Sequence, residues 1–419
     1  MKTSTLRPLV FTASLAWAGA IAAETDGSRL LGPTADDLVA TALTTRAAAM
    51  PSGIERKPLQ FAWAIDRASA LLPPQPFTTS SREFQATVDA ADLTRGHTIH
   101  TTQPGALVLI SPERGVSARV DPTLLRVIKD GRVLNRQAAT EFDASAQQLN
   151  DTGAAFSAGT LGMRLNPALG SGRFDLQLPD AEGRYLVQVF EPTSAYALRL
   201  TNPHDTRLAG QAFYVDATLL DDRGDAVMHR LSGLLVAPDG RSFPLEFQPQ
   251  ASGGHRLQST LPAQASDQPG LWELHAFAVG EAQGQPLLRD AKVAIAVAAP
   301  TARLAGGYTL RDGAAGLEVA IPLQVAAEGR YEVRAVLYGT DATGELRPAA
   351  VAHSANWFKS GQQASLGLAF APALYAGLSA PFELRQLSLG DQGRQGQLEY
   401  RERAMRLSAA QLASARTSP

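Results

Sequence analysis

The sequence predicts an all-β protein: tandem immunoglobulin-like β-sandwich domains behind a short, partly helical N-terminal arm. The first observation is a pattern that occurs three times. It reads Gly183-Arg184-Tyr185-Leu186-Val187-Gln188-Val189, Gly270-Leu271-Trp272-Glu273-Leu274-His275-Ala276 and Gly329-Arg330-Tyr331-Glu332-Val333-Arg334-Ala335. Each copy is a glycine, one free position, an aromatic, then alternating apolar residues. Alternation with period 2 marks a strand with one buried face. The second observation is a proline upstream of each copy, Pro179, Pro262 and Pro322, where the preceding strand ends. A turn into a strand whose first inward residue is Tyr or Trp is the late-strand corner of many sandwiches. The third is the spacing of strand signals, seven of them between residues 195 and 300.

The expected layout begins with a signal peptide over 1–22. Lys2 and Arg7 precede an apolar run from Leu9 to Ile21, and Ala20-Ile21-Ala22 offers a small-x-small cleavage site. That run is too short for a stable span. No later stretch approaches the roughly 20 apolar residues a transmembrane helix needs. Export to the periplasm or the medium is therefore expected. With no cysteine in the chain, a lipid anchor on an N-terminal Cys, disulfides and thiolate metal sites fall away.

The arm spans 23–81. Thr34 and Asp37 have the spacing of a capping box, and Leu38, Val39, Ala42 and Leu43 give a helical stripe that Pro51-Ser52-Gly53 stops near Met50. Phe61, Trp63 and Ile65 then alternate ahead of Pro73-Pro74-Gln75-Pro76, and the arm is expected to pack on the first sandwich.

A β-sandwich-like domain follows over 82–194, with strands at Phe84–Asp89, His97–Thr102, Ala106–Ser111, Leu124–Lys129, Arg173–Leu178 and Arg184–Phe190. Asp130-Gly131 is its clearest hairpin signal, because a type I′ turn needs positive φ at both central positions. Residues 143–172 are rich in Ala, Gly and Ser and read as a long loop or irregular insertion. A second, immunoglobulin-like sandwich is expected over 195–300. A third sandwich is expected over 301–408, able to fold alone, with a flexible tail over 409–419.

Residues 329–390 resemble a terminal β-sandwich module common in exported microbial proteins. The matching stretches are Gly329–Ala335, then Asp341-Ala342-Thr343-Gly344-Glu345, Gly361–Leu366 and Ala380-Pro381-Phe382-Glu383-Leu384-Arg385. The chain as a whole resembles uncharacterised exported proteins of Gram-negative bacteria with tandem Ig-like modules. That resemblance implies fold and location. It carries no activity and no site residues.

Chemistry in the sequence is sparse. There is no Gly-x-Ser-x-Gly elbow, and Gly170-Ser171-Gly172 lies outside any strand-to-helix context. The histidines His97, His100, His204, His229, His255, His275 and His353 are scattered, with no HExxH. Each reads as a surface or hydrogen-bonded structural residue. Glu273 and His275 share one strand face, a solvated face or a ligand-contacting pair. Asp221-Asp222-Arg223-Gly224-Asp225 joins two strand patterns. Asp221, Asp222 and Asp225 are weak candidates for a calcium loop, and Arg223-Gly224-Asp225 for an integrin-type ligand; a polar hairpin turn is the plain alternative. No catalytic, cofactor-binding or metal residue is assigned beyond these, and no cofactor is expected. The formal net charge is -2, and neither a phosphate loop nor a basic-aromatic stripe occurs, so no nucleic acid is expected.

The expected function is that of an exported, non-catalytic binding or scaffold protein, its partner a protein or a glycan at the cell envelope. Carbohydrate binding is the first alternative. It requires exposed, coplanar aromatics, for which Trp63, Trp357, Phe358, Tyr375 and Phe382 are candidates. A hydrolase with a site in the N-terminal half is the second.

Overall fold

The computed structural model describes residues 29–113, 124–151, 153, 156–251 and 253–417. The signal peptide expected over 1–22 lies outside them. The described residues are built mainly of strands that bury one face around three large apolar clusters.

The first cluster packs between a sheet ordered His97–Thr101, Gly172–Gln177, Arg126–Lys129, Arg132–Leu134 and one containing Glu83–Asp89, Arg184–Phe190, Leu107–Pro112, Leu161–Leu165 and Thr140–Ser145. Asp130 and Gly131 both take positive φ, 51° and 75°, in the tight hairpin between Arg126–Lys129 and Arg132–Leu134. Residues 143–172 are more regular than their composition predicts. Strand Leu161–Leu165 buries Leu161, Met163 and Leu165, and Ser145 caps the short helix Ala146–Asn150 in a complete capping box. The strand was hidden because it is only five residues long and sits in a stretch otherwise rich in Ala, Gly and Ser.

The second cluster lies between Ser242–Glu246, Ala226–Val236, Trp272–Ala282, Gln285–Ala298 and a facing sheet ordered Gln248–Pro249, His255–Thr260, Ala212–Asp221, Tyr196–Asn202, Phe77–Ser81. The first and second units share a continuous sheet, joined through the single residue pair Asp290↔Glu83.

The third cluster lies under a five-stranded sheet ordered Leu59–Ala64, Leu346–Phe358, Gly329–Thr340, Ser379–Asp391, Gly396–Leu407. Strands Ala302–Leu304, Thr309–Gly313, Gly316–Val325 and Ala364–Phe370 cover its inner face.

The arm departs from expectation in two ways. Residues 38–50 form no helix. Leu38 instead exchanges backbone hydrogen bonds with Tyr400, 3.0 and 2.8 Å. Leu38 and Ala40 are both buried, a spacing of two, so pairing with a sheet edge overrides the helical stripe. The start is still a tight turn, with the Asp37 carboxylate accepting from the Thr34 amide at 2.8 Å. Second, the arm does not pack on the first sandwich. Leu59–Ala64 pairs with Leu346–Phe358 of the third unit, and Phe77–Ser81 pairs with Tyr196–Asn202 of the second. The arm thus covers both edges of the four strands that follow Leu59–Ala64 in that sheet, which leaves fewer open backbone groups there. Within the tail expected over 409–419, Ala409–Thr417 forms a helix, and Leu412 is buried in the third cluster.

The three corner aromatics anchor the three clusters. Tyr185 and Trp272 are each 1% exposed and Tyr331 is 0% exposed. Tyr185 Oη accepts from the Glu182 amide at 3.1 Å, and Tyr331 Oη donates to the Ala327 carbonyl at 2.7 Å. Both are the back-bonded tyrosine of a sandwich corner. Trp272 fills the equivalent place and stacks on Phe243, ring centroids 6.0 Å apart. Removing so large a buried ring leaves a cavity as well as lost contact. Trp272→Ala is expected to cost about 3–5 kcal/mol in denaturant unfolding; an unchanged midpoint would contradict the corner assignment.

Candidate functional site

The five-stranded sheet has one buried face and one facing outward. Register places side chains on the outward face in rows across the strands. Phe61 lies opposite His353, His353 opposite Arg334, and Arg334 opposite Ser388. Beside that row, Glu332 lies opposite Gly390, and Gly390 opposite Gln397. A trough of about 470 Å³ opens here, lined by Glu332, Ser388, Gly390, Gln392, Gln395 and Gln397 among others.

Neighbours hold the trough's carboxylate in place. Glu332 Oε2 accepts a hydrogen bond from His353 Nε2 at 2.8 Å and a second from the Gln392 side-chain amide. Gln392 is itself fixed, its Oε1 accepting from Arg330 Nε at 2.6 Å. Arg330 also donates through Nη1 to the carbonyls of Glu55 and Lys57, 2.8 Å each. The Arg330 guanidinium therefore ties the arm to the trough. The second oxygen, Glu332 Oε1, accepts no hydrogen bond from the described residues. Gly390 makes room for it: a Cβ there would lie 3.0 Å from that oxygen. Asp391, the other carboxylate of the lining, is occupied by Arg394 Nη1 at 2.6 Å and Thr301 Oγ1 at 3.1 Å.

Segments of the arm rim the face. Ile65 and Leu71 pack on Val336, Tyr338 and Val351 at one end. At the other, Arg394 Nε donates to the Ala48 carbonyl at 2.8 Å. Between them stand Phe61 and Trp63, exposed and stacked, centroids 5.5 Å apart and planes 22° apart. Phe61 also leans on the His353 ring at 5.1 Å.

Among the aromatics singled out from sequence, Trp63 is outward and exposed. Phe358 and Phe382 are core residues, and Tyr375 packs edge-on against Phe382 at 5.4 Å. Trp357 donates from Nε1 to Glu328 at 2.8 Å, with the Arg56 guanidinium 4.2 Å from its ring centre. Sequence reasoning set His353 aside as isolated and missed Glu332. The two stand 21 residues apart on adjacent strands, so only the register unites them. Glu273 and His275 do share a face and hydrogen-bond at 2.9 Å.

The acidic turn serves its own hairpin. Asp221 accepts from the amides of Arg223, Gly224 and Ala226, 2.7–2.9 Å away. Burial pushes its pKa up, but those amides outweigh it and hold the carboxyl below its ordinary range. Asp225 accepts from Tyr196 Oη at 2.5 Å, and burial together with that carboxylate pushes the Tyr196 phenol up to about 12. Asp222 stays in solvent. Among the described residues, no group of three or more His, Asp and Glu is placed to hold a metal ion.

A second titratable cluster lies where the first and second units join. Arg289 and Glu191 form an ion pair at 2.8 Å with both side chains 0% exposed. The next residue, Asp290, is buried and accepts from the Gln85 amide at 2.7 Å. Burial pushes its pKa up to about 7, with Glu83 nearby adding to the rise and Lys292 and Arg289 opposing it.

The comparisons with known proteins identify a family. Residues 50–191 match the N-terminal domain, and residues 301–408 the C-terminal domain, of a domain of unknown function, DUF4785. The two stretches cover more than half of the chain. This protein belongs to the DUF4785 family. A solved DUF4785 family protein from Legionella pneumophila has the same fold, with TM-score 0.70 and 21% identity over 88% of this chain and 99% of that one. An α2-macroglobulin from Escherichia coli aligns with 79% of this chain and 20% of its own, at 14% identity and TM-score 0.27, too slight to bear on the fold. No curated protein matches. These findings place the chain in an uncharacterised bacterial family; the tandem Ig-like kinship expected from sequence is not what they establish. The matched N-terminal domain begins at residue 50, so it takes in strand Leu59–Ala64, which pairs within the third unit.

Two outcomes are expected. Because Asp221 and Asp225 are already hydrogen-bonded within the hairpin, melting curves in EDTA and in millimolar calcium superimpose; a chelator-sensitive shift of several degrees contradicts this. For Asp290, the folded pKa lies above the unfolded value of 3.8. Between pH 4 and 7 the folded state therefore holds more protons than the unfolded state, and stability falls as pH rises through that window. Asp290→Asn removes the penalty, up to about 4 kcal/mol at pH 8 and little at pH 3.5. Urea titrations of both proteins at the two pH values measure the difference.

Proposed function

We propose that this protein is exported to the periplasm or the medium and acts there as a non-catalytic binding protein. Its ligand seat is the trough on the outward face of the C-terminal sheet. One observation carries the reading: a cavity of about 470 Å³ whose central carboxylate is held on one oxygen and left open on the other. Pre-organised polar groups in a concavity are what a binding site needs, since little ordering remains to be done on association. The non-catalytic reading is supported by the fate of Asp391. Glycoside hydrolysis uses two carboxylates flanking one bond, and of the two in the trough lining Asp391 is buried and bound to Arg394 and Thr301. The partner is a protein or a glycan of the envelope. Among the described residues, no helix is long and apolar enough to cross a membrane.

Affinity capture from periplasmic and culture-medium fractions tests the reading. Immobilised wild type is expected to retain a component that Glu332→Ala and Gly390→Val both release, the second by filling the trough floor beside Glu332. Equal retention by all three proteins at equal melting temperature overturns the assignment of the seat.

A further inference from the structure

We propose that strand Leu59–Ala64 is a self-pairing edge: two copies of this chain join through it, antiparallel about a two-fold axis at Phe61, so that their five-stranded sheets become one. The inference stands apart from any role of the trough. Leu59–Ala64 is the outermost strand of its sheet, and among the described residues no strand pairs on its far side. The ladder shows which of its backbone groups are open. The Ile65 amide donates to the Ala349 carbonyl at 3.0 Å, in the register that sets Phe61 opposite His353. Only alternate residues of an antiparallel strand exchange hydrogen bonds with a given neighbour. Leu59, Phe61 and Trp63 therefore turn N–H and C=O toward Leu346–Phe358, and Gln60, Ala62 and Ala64 turn theirs to the open edge.

Sheet edges are usually blunted against pairing by a charge or a proline. Thr140–Ser145, at the end of its sheet, carries Glu141 and Asp143, and Ser242–Glu246 carries Pro244 and Glu246. The run Leu59-Gln60-Phe61-Ala62-Trp63-Ala64 has neither. Its outward side chains Leu59, Phe61 and Trp63 remain 45%, 45% and 43% exposed. Open backbone groups under an uncharged apolar strip are a template for another strand.

The flanks select a second copy as that strand's source. Glu55, Arg56 and Lys57 precede the run, Asp66 and Arg67 follow it, and all five are exposed. With Phe61 opposite Phe61 in an antiparallel pair, Leu59 falls opposite Trp63 and Gln60 opposite Ala62. Gln60 and Ala62 then exchange both their open hydrogen bonds, once on each side of the axis. At either end Arg56 of one copy comes to Asp66 of the other, and Glu55 to Arg67. The neighbouring register, with Ala62 opposite Ala62, brings Lys57 to Arg67 instead. Opposite charges at matched ends fix a register and reject the wrong ones. A two-fold pair also closes on itself, so association stops at two. The axis is normal to the sheet, so both outward faces lie on the same side. Leu59, Phe61 and Trp63 of the two copies meet there and leave water together.

Sedimentation equilibrium of the protein, from low to several hundred micromolar, is expected to show a monomer–dimer equilibrium. Phe61→Lys sets two cations against each other on the axis and is expected to weaken it at least about tenfold. The melting temperature of the monomer stays unchanged, because that ring is already half in water. Arg56→Asp and Asp66→Arg each weaken the dimer, and the double variant restores it. A covalent trap reads the register directly. The chain has no cysteine, and Phe61→Cys sets two thiols across a pair whose Cα atoms lie about 4.5 Å apart, within reach of a disulfide. Mild oxidation is expected to yield a covalent dimer of that variant. Val227→Cys, 58% exposed on another strand, stays monomeric. A monomer at every concentration, with no covalent Phe61→Cys dimer, overturns the proposal. A dimer that Phe61→Lys leaves intact rejects this edge as the interface, and a double charge variant no better than the single ones rejects the register.

Discussion

The arrangement of the first two units depends on one buried ion pair. Arg289 and Glu191 are both removed from water, and desolvating two charges is expensive unless every donor and acceptor is met. Here they are met. Arg289 donates to the Tyr196 and Leu288 carbonyls and to the hydroxyls of Thr102 and Ser194, 2.7–3.0 Å away. Glu191 accepts from the amide and hydroxyl of Thr102 and from the Gln103 amide. These partners come from the loop after His97–Thr101, the link at 191–195, the start of strand Tyr196–Asn202 and the strand Gln285–Ala298. No hydrophobic contact would set the angle between the units so narrowly, because apolar burial is not directional. The same network puts Asp290 beside Glu83, at the one residue pair where the two sheets become continuous.

A different device ties on the third unit. The arm acts here beside the linker at Pro300 and the packing of Leu208 and Ala298 in the third cluster. Leu31 and Leu38 hydrogen-bond to Ala404 and Tyr400 along one edge, and Leu59–Ala64 pairs along the other. Between those edges Arg330 and Arg394 hold carbonyls of the arm at Ala48, Glu55 and Lys57. Two guanidiniums can do this because each is a rigid fork of several donors aimed at a fixed angle. The arm then continues through the Pro-rich run to Phe77–Ser81, at the edge of the second unit. It is a covalent strap between units as well as an edge cover. It also brings Phe61 and Trp63 to a sheet from which they are far removed in sequence.

The strands were legible because each buries one face. Ala226–Val236, Leu346–Phe358, Ala364–Phe370 and Gly396–Leu407 begin and end where alternation and turn residues place them. The corner aromatics were legible because a large inward ring after a glycine has few other uses. Partnership between strands was not. Leu59–Ala64 reads as a strand by alternation, but its neighbour lies near residue 350, and no local signal names it. Leu38 to Met50 was misread for a related reason. Its apolar spacing fits a helix, whereas an available sheet edge at Tyr400 satisfies the backbone of Leu38 outright. Propensity is a weak prior when a tertiary partner competes.

The trough follows the same logic one level up. Nothing about Glu332, His353, Gln392 or Gly390 alone marks a site. Each acquires meaning from register: Glu332 faces Gly390 across one strand gap, and His353 reaches Glu332 across another. A slip of one residue in either pairing would turn one partner into the core, and the carboxylate would lose its support. The buried face prevents that slip, since Tyr331 and Val333, on either side of Glu332, are locked in the third cluster. The packing that fixes the inward side chains therefore also aims the outward ones, and the geometry of the open surface is inherited from the core beneath it.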